Sequence, residues 1–258
     1  MVNLRSCMGG LCLIFAAGCS VAPAFQPEAT PLRYEESMAH CEQLNQERPA
    51  IESLRSLAES TISHSGDSIS FRYVIVTREP KDLRIDLLPM EGAFTLGLLV
   101  TQGEQILLLN TQDKTYLETE DPAAVLERFL GIRGITREMI IAIVSGIAPR
   151  FDCSQVEILQ GQDGVSVAID RVQHVAWDLA GNTGRVSAFY ILNNEHDTIG
   201  AQGALYYSGN ASPSSMSLAL YQPLEAQGIM LFKKVVINPV VADEIFTIAV
   251  PGDYSEER

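Results

Sequence analysis

The strongest constraint on the fold is a repeated alternation of residue character along short stretches of the chain. Residues 82–87 (DLRIDL), 165–170 (VSVAID) and 174–179 (HVAWDL) each alternate larger apolar residues with polar or small ones. A two-residue period places the apolar side chains on one face of a β-strand and the others on the opposite face. The pattern therefore predicts an antiparallel sheet that is covered on only one side.

Turn residues separate a longer series of strand-like stretches at short intervals. β-branched and aromatic residues dominate them, as they do in strands. The other predicted strands are residues 71–78, 95–101, 105–110, 114–118, 185–192, 204–207, 216–221, 230–237 and 245–250. So many short strands predict a large antiparallel sheet or barrel.

Two helices are predicted ahead of the strands. The first covers the polar residues 34–46. The second begins near Pro49, because apolar residues then recur at spacings of three and four, the period of an amphipathic helix. Those apolar residues are Ile51, Leu54, Leu57, Ala58 and Ile62.

A helical region interrupts the strands between residues 121 and 149. Asp121 suits the N-cap of a first helix, with Pro122 at the first helical position. Thr136 suits the N-cap of a second helix, which ends before Pro149. Both helices are amphipathic, so we expect their apolar faces to cover the concave side of the sheet and enclose an apolar cavity. The residues predicted to line that cavity are Leu126, Phe129, Ile140, Ile143 and Val144.

Residues 1–18 have the layout of a secretory signal peptide, with Arg5, an apolar run and small residues before a cleavage site. Because the small residues stand directly before Cys19, the segment resembles a bacterial lipobox, whose cysteine is acylated. An ordinary signal peptide cleaved elsewhere is the alternative. An aspartate directly after the acylated cysteine retains lipoproteins in the inner membrane. Ser20 occupies that position here, which favours an anchor in the outer membrane that faces the periplasm. Three prolines in residues 20–32 predict an irregular tether.

The net charge argues against two classes of partner, and the cysteine content allows one disulfide. A formal net charge of −14 repels nucleic acid and anionic headgroups, which argues against both as electrostatic partners. Besides Cys19, the exported chain would hold Cys41 and Cys153. In an oxidising compartment these two residues form one disulfide or remain as two thiols, and both alternatives stay open.

The sequence contains no motif for catalysis, metal binding or phosphate binding. The histidines, residues 40, 64, 174 and 196, lack HExxH spacing, and no CxxC, GxSxG or GxxxxGK[ST] is present. We therefore expect no metal, no cofactor and no enzymatic activity.

Residues 83–149 (LRIDLLPMEGAFTLGLLVTQGEQILLLNTQDKTYLETEDPAAVLERFLGIRGITREMIIAIVSGIAP) resemble the middle of the LolA/LolB family of lipoprotein carriers and receptors, closest to LolB. Residues 244–258 (EIFTIAVPGDYSEER) resemble a closing strand of that family, and residues 78–80 (REP) resemble its Arg-Pro element with one residue inserted. The resemblance implies a mainly β (α+β) fold, an incomplete antiparallel β-barrel of about ten or eleven strands with helices covering an apolar cavity. It also implies that residues 1–18 are the signal peptide, 19–48 the anchor and tether, and 49–258 the lipid-binding domain.

In the family, an exposed hydrophobic residue on a loop between two early strands delivers cargo to the membrane. Met90 occupies that position in Pro89-Met90-Glu91-Gly92, although a Met buried in a tight turn is the alternative. Arg78 corresponds to an internal arginine of the carrier, but the inserted residue favours a solvated position. Trp177 lines the cavity or packs in the core, and core packing is favoured.

Three functions remain in order of preference. The first is an outer-membrane lipoprotein that binds acyl chains of lipoproteins or phospholipid, with a periplasmic carrier as a further partner. The second is a structural lipoprotein that uses the same fold as a protein-binding scaffold. The third is a periplasmic hydrolase that lacks a recognisable motif.

Overall fold

The computed structural model describes residues 22–78, 82–92, 94–102, 105–120, 125, 134–161, 164–181, 184–193, 198–209, 212–221 and 225–256. Its strands form one open, curved sheet of 15 strands in the order β1-β8-β9-β10-β11-β12-β13-β14-β2-β3-β4-β5-β6-β7-β15. Neighbouring strands are antiparallel except β7 and β15, which are parallel. The strands are β1 (Ala29–Pro31), β2 (Ser53–His64), β3 (Asp67–Arg78), β4 (Asp82–Pro89), β5 (Gly97–Gln102), β6 (Gln105–Asn110), β7 (Thr115–Thr119), β8 (Val156–Gly161), β9 (Val165–Asp170), β10 (Val175–Ala180), β11 (Arg185–Leu192), β12 (Ile199–Tyr207), β13 (Pro213–Leu220), β14 (Ala226–Ile237) and β15 (Ser255–Glu256).

The mainly β architecture is confirmed, but the expected barrel of ten or eleven strands is wrong. The sheet is open and has 15 strands, because β1, β2, β8 and β15 join it as well. β1 lies within residues 20–32 and contains the last of their three prolines, so the prediction that this whole segment is irregular is wrong for Ala29–Pro31. It pairs with β8 at one edge of the sheet.

The prediction of a helix after Pro49 is wrong, because this stretch forms strand β2. Leu54, Ala58 and Ile62 are separated by even numbers of residues, so a strand also places them on one face. Leu57 lies on the opposite face and is exposed. β2 pairs along its length with both β3 and β14, which satisfies its backbone groups on both sides.

The strand predicted for residues 245–250 is also wrong. Its start forms a 3-10 helix (Asp243–Phe246), and the rest has no regular structure. The apolar residues of this stretch cover the sheet instead of joining it, because Phe246 is buried against side chains such as Val76 and Val100.

Two α-helices pack on the sheet, and both were predicted. Helix α1 (Tyr34–Glu47) packs beside β8, and a disulfide between Cys41 and Cys153 joins it to the segment before that strand. Helix α2 (Arg137–Ser145) begins at Thr136, whose hydroxyl accepts a hydrogen bond from the Met139 N–H at 3.2 Å. It ends at Gly146, which adopts φ 72°. Of the preceding predicted helix only Val125 is described, and it is helical and buried.

The sheet has two faces with different cover. The inner face carries Leu54, Ile75 and Ile85, which share one core with α2. On the outer face, the amino-terminal segment packs Phe25 and Ala29 over β8–β11, while residues 241–254 pack over β3–β7. No helix among the described residues is long and apolar enough to cross a membrane.

Candidate functional site

A groove of about 640 Å³ lies on the inner face of β3–β7, and we call it the apolar groove. The strands build it by alternation, since Phe71 pairs with Pro89 in register and Leu108 pairs with Leu117. Gly97, opposite Leu87, contributes only backbone to the lining. The main apolar lining residues are Ile69, Phe71, Leu87, Pro89, Phe94, Leu96, Leu108 and Leu117.

The chemistry of the apolar groove suits hydrocarbon. None of its described lining residues carries an ionisable acid or base apart from the phenol of Tyr116, and Ser70, Asn110, Gln112 and Thr115 supply its few other polar side chains. Transfer of a charged group into such surroundings is costly, whereas an alkyl chain gains about 0.8 kcal/mol for each buried CH₂. The groove therefore favours an acyl chain over a polar metabolite.

One rim of the apolar groove is the loop between β4 and β5. Met90 is 41% exposed and Phe94 is 59% exposed, so the structure favours the exposed-loop interpretation of Met90 over a buried turn. Gly92 has φ +99°, and a Cβ there would lie 3.1 Å from the ring of Phe94. The turn thus needs glycine both for its backbone and to hold the aromatic ring.

Arg72 fixes this loop from the neighbouring strand. Its guanidinium donates hydrogen bonds to the carbonyl oxygen of Pro89 at 3.1 Å and to that of Gly92 at 2.9 Å. Sequence reasoning missed both Arg72 and Phe94. Phe94 could have been found from the sequence. It is an aromatic residue in a short segment between strands, where an apolar side chain has no sheet face to cover.

The helix residues predicted to line a cavity lie on the inner face. Ile140, Ile143 and Val144 are buried in the main core, and α2 contacts β14 and β2. None of the three is among the described lining residues of the apolar groove. Leu126, Phe129 and Cys19 lie outside the described residues.

The inner face of β8–β14 is filled by side chains. Trp177 is fully buried, with its ring centroid 6.1 Å from that of Phe189, so it packs in the core and does not line the groove. A Cβ at Gly203 would stand 2.3 Å from the Phe189 ring, so only glycine leaves room for that ring. The indole N–H of Trp177 is buried and has no hydrogen-bond partner among the described residues.

Arg78 lies on the outer face and does not enter the groove. Its guanidinium pairs with Asp82 at 2.6 Å and with Asp243, and it stacks 5.1 Å from the ring centroid of Phe246. The two carboxylates raise the pKa of Arg78 above its usual value. The arginine thus fastens the 3-10 helix to the end of β3.

A half-buried carboxyl group, that of Asp178, lies on the outer face, away from the groove. The Tyr190 hydroxyl donates a hydrogen bond to Oδ2 of Asp178 at 2.9 Å. Burial raises the pKa of Asp178, and the hydrogen bond from Tyr190 partly opposes that shift. Phe25 of the amino-terminal segment packs on Tyr190, with the ring centroids 5.1 Å apart.

The described histidines do not converge. His40 forms a hydrogen bond with the Ser166 hydroxyl. His64 forms one hydrogen bond with the carbonyl oxygen of Glu225 and another with the Ser65 hydroxyl. In the described part of the chain, no group of three or more histidine, cysteine, aspartate or glutamate side chains is placed to hold a metal.

Comparison with solved structures defines the fold. No protein-family model matches the chain, and no curated protein matches it significantly. A LolA superfamily protein from Nitrosomonas europaea has a TM-score of 0.54 at 10% identity, over 82% of this chain and 97% of that chain. A domain described as an outer membrane lipoprotein-sorting protein, from Vibrio parahaemolyticus, has a TM-score of 0.58 at 8% identity, over 83% and 97%.

A DUF1329 family protein from Desulfovibrio piger also has a TM-score of 0.58, at 10% identity, over 84% of this chain and 98% of that chain. At such low identity the likeness establishes the fold alone. The chain therefore has a LolA-like fold, in which an open, curved sheet carries the apolar groove.

Proposed function

We propose that this protein binds an acyl chain of a lipoprotein or lipid in the apolar groove and acts in lipoprotein localisation, as a LolB-like receptor does. The observation that carries the proposal is an uncharged groove with an exposed apolar rim, within a LolA-like fold. The lipobox supports acylation of Cys19, which would anchor the protein to the outer membrane, facing the periplasm. The activity is binding and transfer, without a catalytic step.

The rim loop is the proposed transfer element. Met90 and Phe94 expose apolar surface beside the groove, and Arg72 holds the backbone between them. Methionine is unbranched and polarizable, which suits contact with irregular acyl chains. Cargo would enter from a periplasmic carrier and leave past these two side chains into the bilayer.

The test compares a charge placed inside the groove with the same charge outside it. Leu117 lines the groove and is half-buried, whereas Val240 is almost fully exposed in the segment that follows β14. Leu117→Asp should weaken binding of a fluorescent fatty-acyl probe by about tenfold or more, because the carboxylate loses water where the chain binds. Val240→Asp should leave the affinity unchanged.

Circular dichroism on both variants controls for folding. Equal probe affinity in wild type and a folded Leu117→Asp variant would contradict acyl binding in the groove. The scaffold function would then be preferred, because the filled inner face of β8–β14 already shows how this sheet supports a packed core.

A further inference from the structure

No described residue from outside the sheet covers the middle of its outer face. The amino-terminal segment covers β8–β11 and residues 241–254 cover β3–β7, which leaves β12, β13, β14 and β2 between them. Four large apolar side chains are exposed on this strip, and two of them, Ile229 (58%) and Leu231 (42%), lie on β14. The other two are Leu57 on β2 and Tyr206 on β12.

Basic side chains border these apolar residues. In the register of the sheet, Lys234 lies opposite Leu57, Arg55 lies opposite Val236, and Arg72 lies opposite Glu59. We call Leu57, Tyr206, Ile229 and Leu231, together with Arg55, Arg72 and Lys234, the outer patch. Lys233 beside it is paired with Glu59 at 2.8 Å.

The three cations of the outer patch differ from most others in the described structure. Arg84, Lys114 and Arg137 each form an ion pair with a carboxylate. Arg55, Arg72 and Lys234 form none with any described residue, and Arg72 instead binds the carbonyl oxygens of the rim loop. Unneutralised positive charge thus collects around exposed apolar side chains in a chain whose net charge is −14.

We propose that the outer patch rests on an anionic lipid surface. Basic side chains next to exposed apolar residues form the combination that binds such surfaces, since the cations meet phosphates while the apolar groups enter the interface. The overall negative charge argues against anionic lipid as a general partner, so binding would depend on this patch and on one orientation of the body.

Two connections within the molecule favour a membrane over an acidic protein as the occupant. Arg72 belongs to the outer patch and also holds the rim loop, so the patch is continuous with the proposed transfer element. The backbone carbonyl of Pro23 accepts a hydrogen bond from the N–H of Ile199, at the start of β12, at 2.8 Å. Cys19 is three residues before Ala22, a reach of about 10 Å. Both connections rest on the proposed function, because the first takes the rim loop as the transfer element and the second requires Cys19 to be the anchor.

The experiment uses the mature chain, residues 19–258, with Cys19→Ser, so that neither the apolar signal peptide nor an acyl anchor contributes. Co-sedimentation is measured with vesicles of phosphatidylcholine alone and of phosphatidylcholine with phosphatidylglycerol. We expect clear preference for the anionic vesicles, lost at high salt. Arg55→Gln with Lys234→Gln should weaken anionic binding about 25-fold, since each basic residue near such a surface is worth about fivefold.

The matched control is Arg150→Gln with Arg171→Gln, which removes the same charge away from the outer patch and should leave the preference unchanged. Equal binding to the two kinds of vesicle, or equal losses in the two double variants, would overturn the proposal. The acyl probe is measured on the same samples. Normal probe binding without vesicle preference would contradict the outer patch alone, whereas vesicle preference without probe binding would contradict the proposed function alone.

Discussion

The β8–β14 region and the β3–β7 region of the sheet show the same alternation of apolar and polar residues, yet their inner faces end in different environments. In β8–β14 the inner face is filled by Trp177, Phe189 and the side chains of α2. In β3–β7 the inner face opens into the apolar groove beside Leu108 and Leu117. Alternation determines which face a side chain occupies, but not whether another element covers that face.

The largest effect is expected for truncation in the filled region. Trp177→Ala should lower the free energy of unfolding by about 3 to 5 kcal/mol, because a large buried ring leaves a cavity. Leu108→Ala, in the groove, should cost about 1 kcal/mol, since its side chain is only partly buried. Urea unfolding of both variants measures the difference, and similar costs would mean that the groove is as well packed as the core.

The disulfide belongs to the filled region and should have the next largest effect. Cys41 and Cys153 are separated by 112 residues, so their bond restricts the unfolded chain strongly. Cys41→Ala with Cys153→Ala should lower stability by about 2 to 5 kcal/mol. Probe binding should persist under conditions where the variant is folded, because the bond lies away from β3–β7. Loss of binding in a folded variant would show that the two regions are coupled.

A smaller, pH-dependent effect is expected at Asp178. Burial raises the pKa of its carboxyl group in the folded state, so its contribution to stability is complete below the unfolded pKa of about 4 and is lost as pH rises through the folded value. Asp178→Asn keeps an acceptor for the Tyr190 hydroxyl but carries no charge. The variant should therefore gain in melting temperature relative to wild type between pH 4 and pH 8. A constant difference across that range would contradict the shift.

The smallest effect on stability is expected at Met90. Met90→Glu should change the melting temperature little, because the side chain is exposed. The variant should still take up an acylated partner in solution but release it into liposomes more slowly. A drop of many degrees would place Met90 in the core, and unchanged release would remove the loop from the transfer step.

Sequence reasoning identified the antiparallel sheet and both described α-helices, since each depends on a local period. It left open whether Met90 is exposed or buried in a turn, and only the structure shows its exposure. It misassigned Ile51–Ile62 because the spacing of Leu54, Ala58 and Ile62 fits a strand as well as a helix. Pairing with β3 and β14, which no local pattern reveals, decides between the two. The position of the groove depends on how the ends of β3–β7 and the rim loop come together, which is a tertiary property.

The most direct test of the central claim is to find where an acyl chain sits on the sheet. A fatty acid with a photoactivatable diazirine in its tail would be bound to the full chain and irradiated, and the labelled residues would be located by peptide mass spectrometry. We predict labelling of β3, β4, β6 and β7 at inner-face residues such as Phe71, Leu87 and Leu108, reduced by Leu117→Asp. Labelling confined to the outer face or to β8–β14, or labelling unaffected by Leu117→Asp, would contradict acyl binding in the apolar groove.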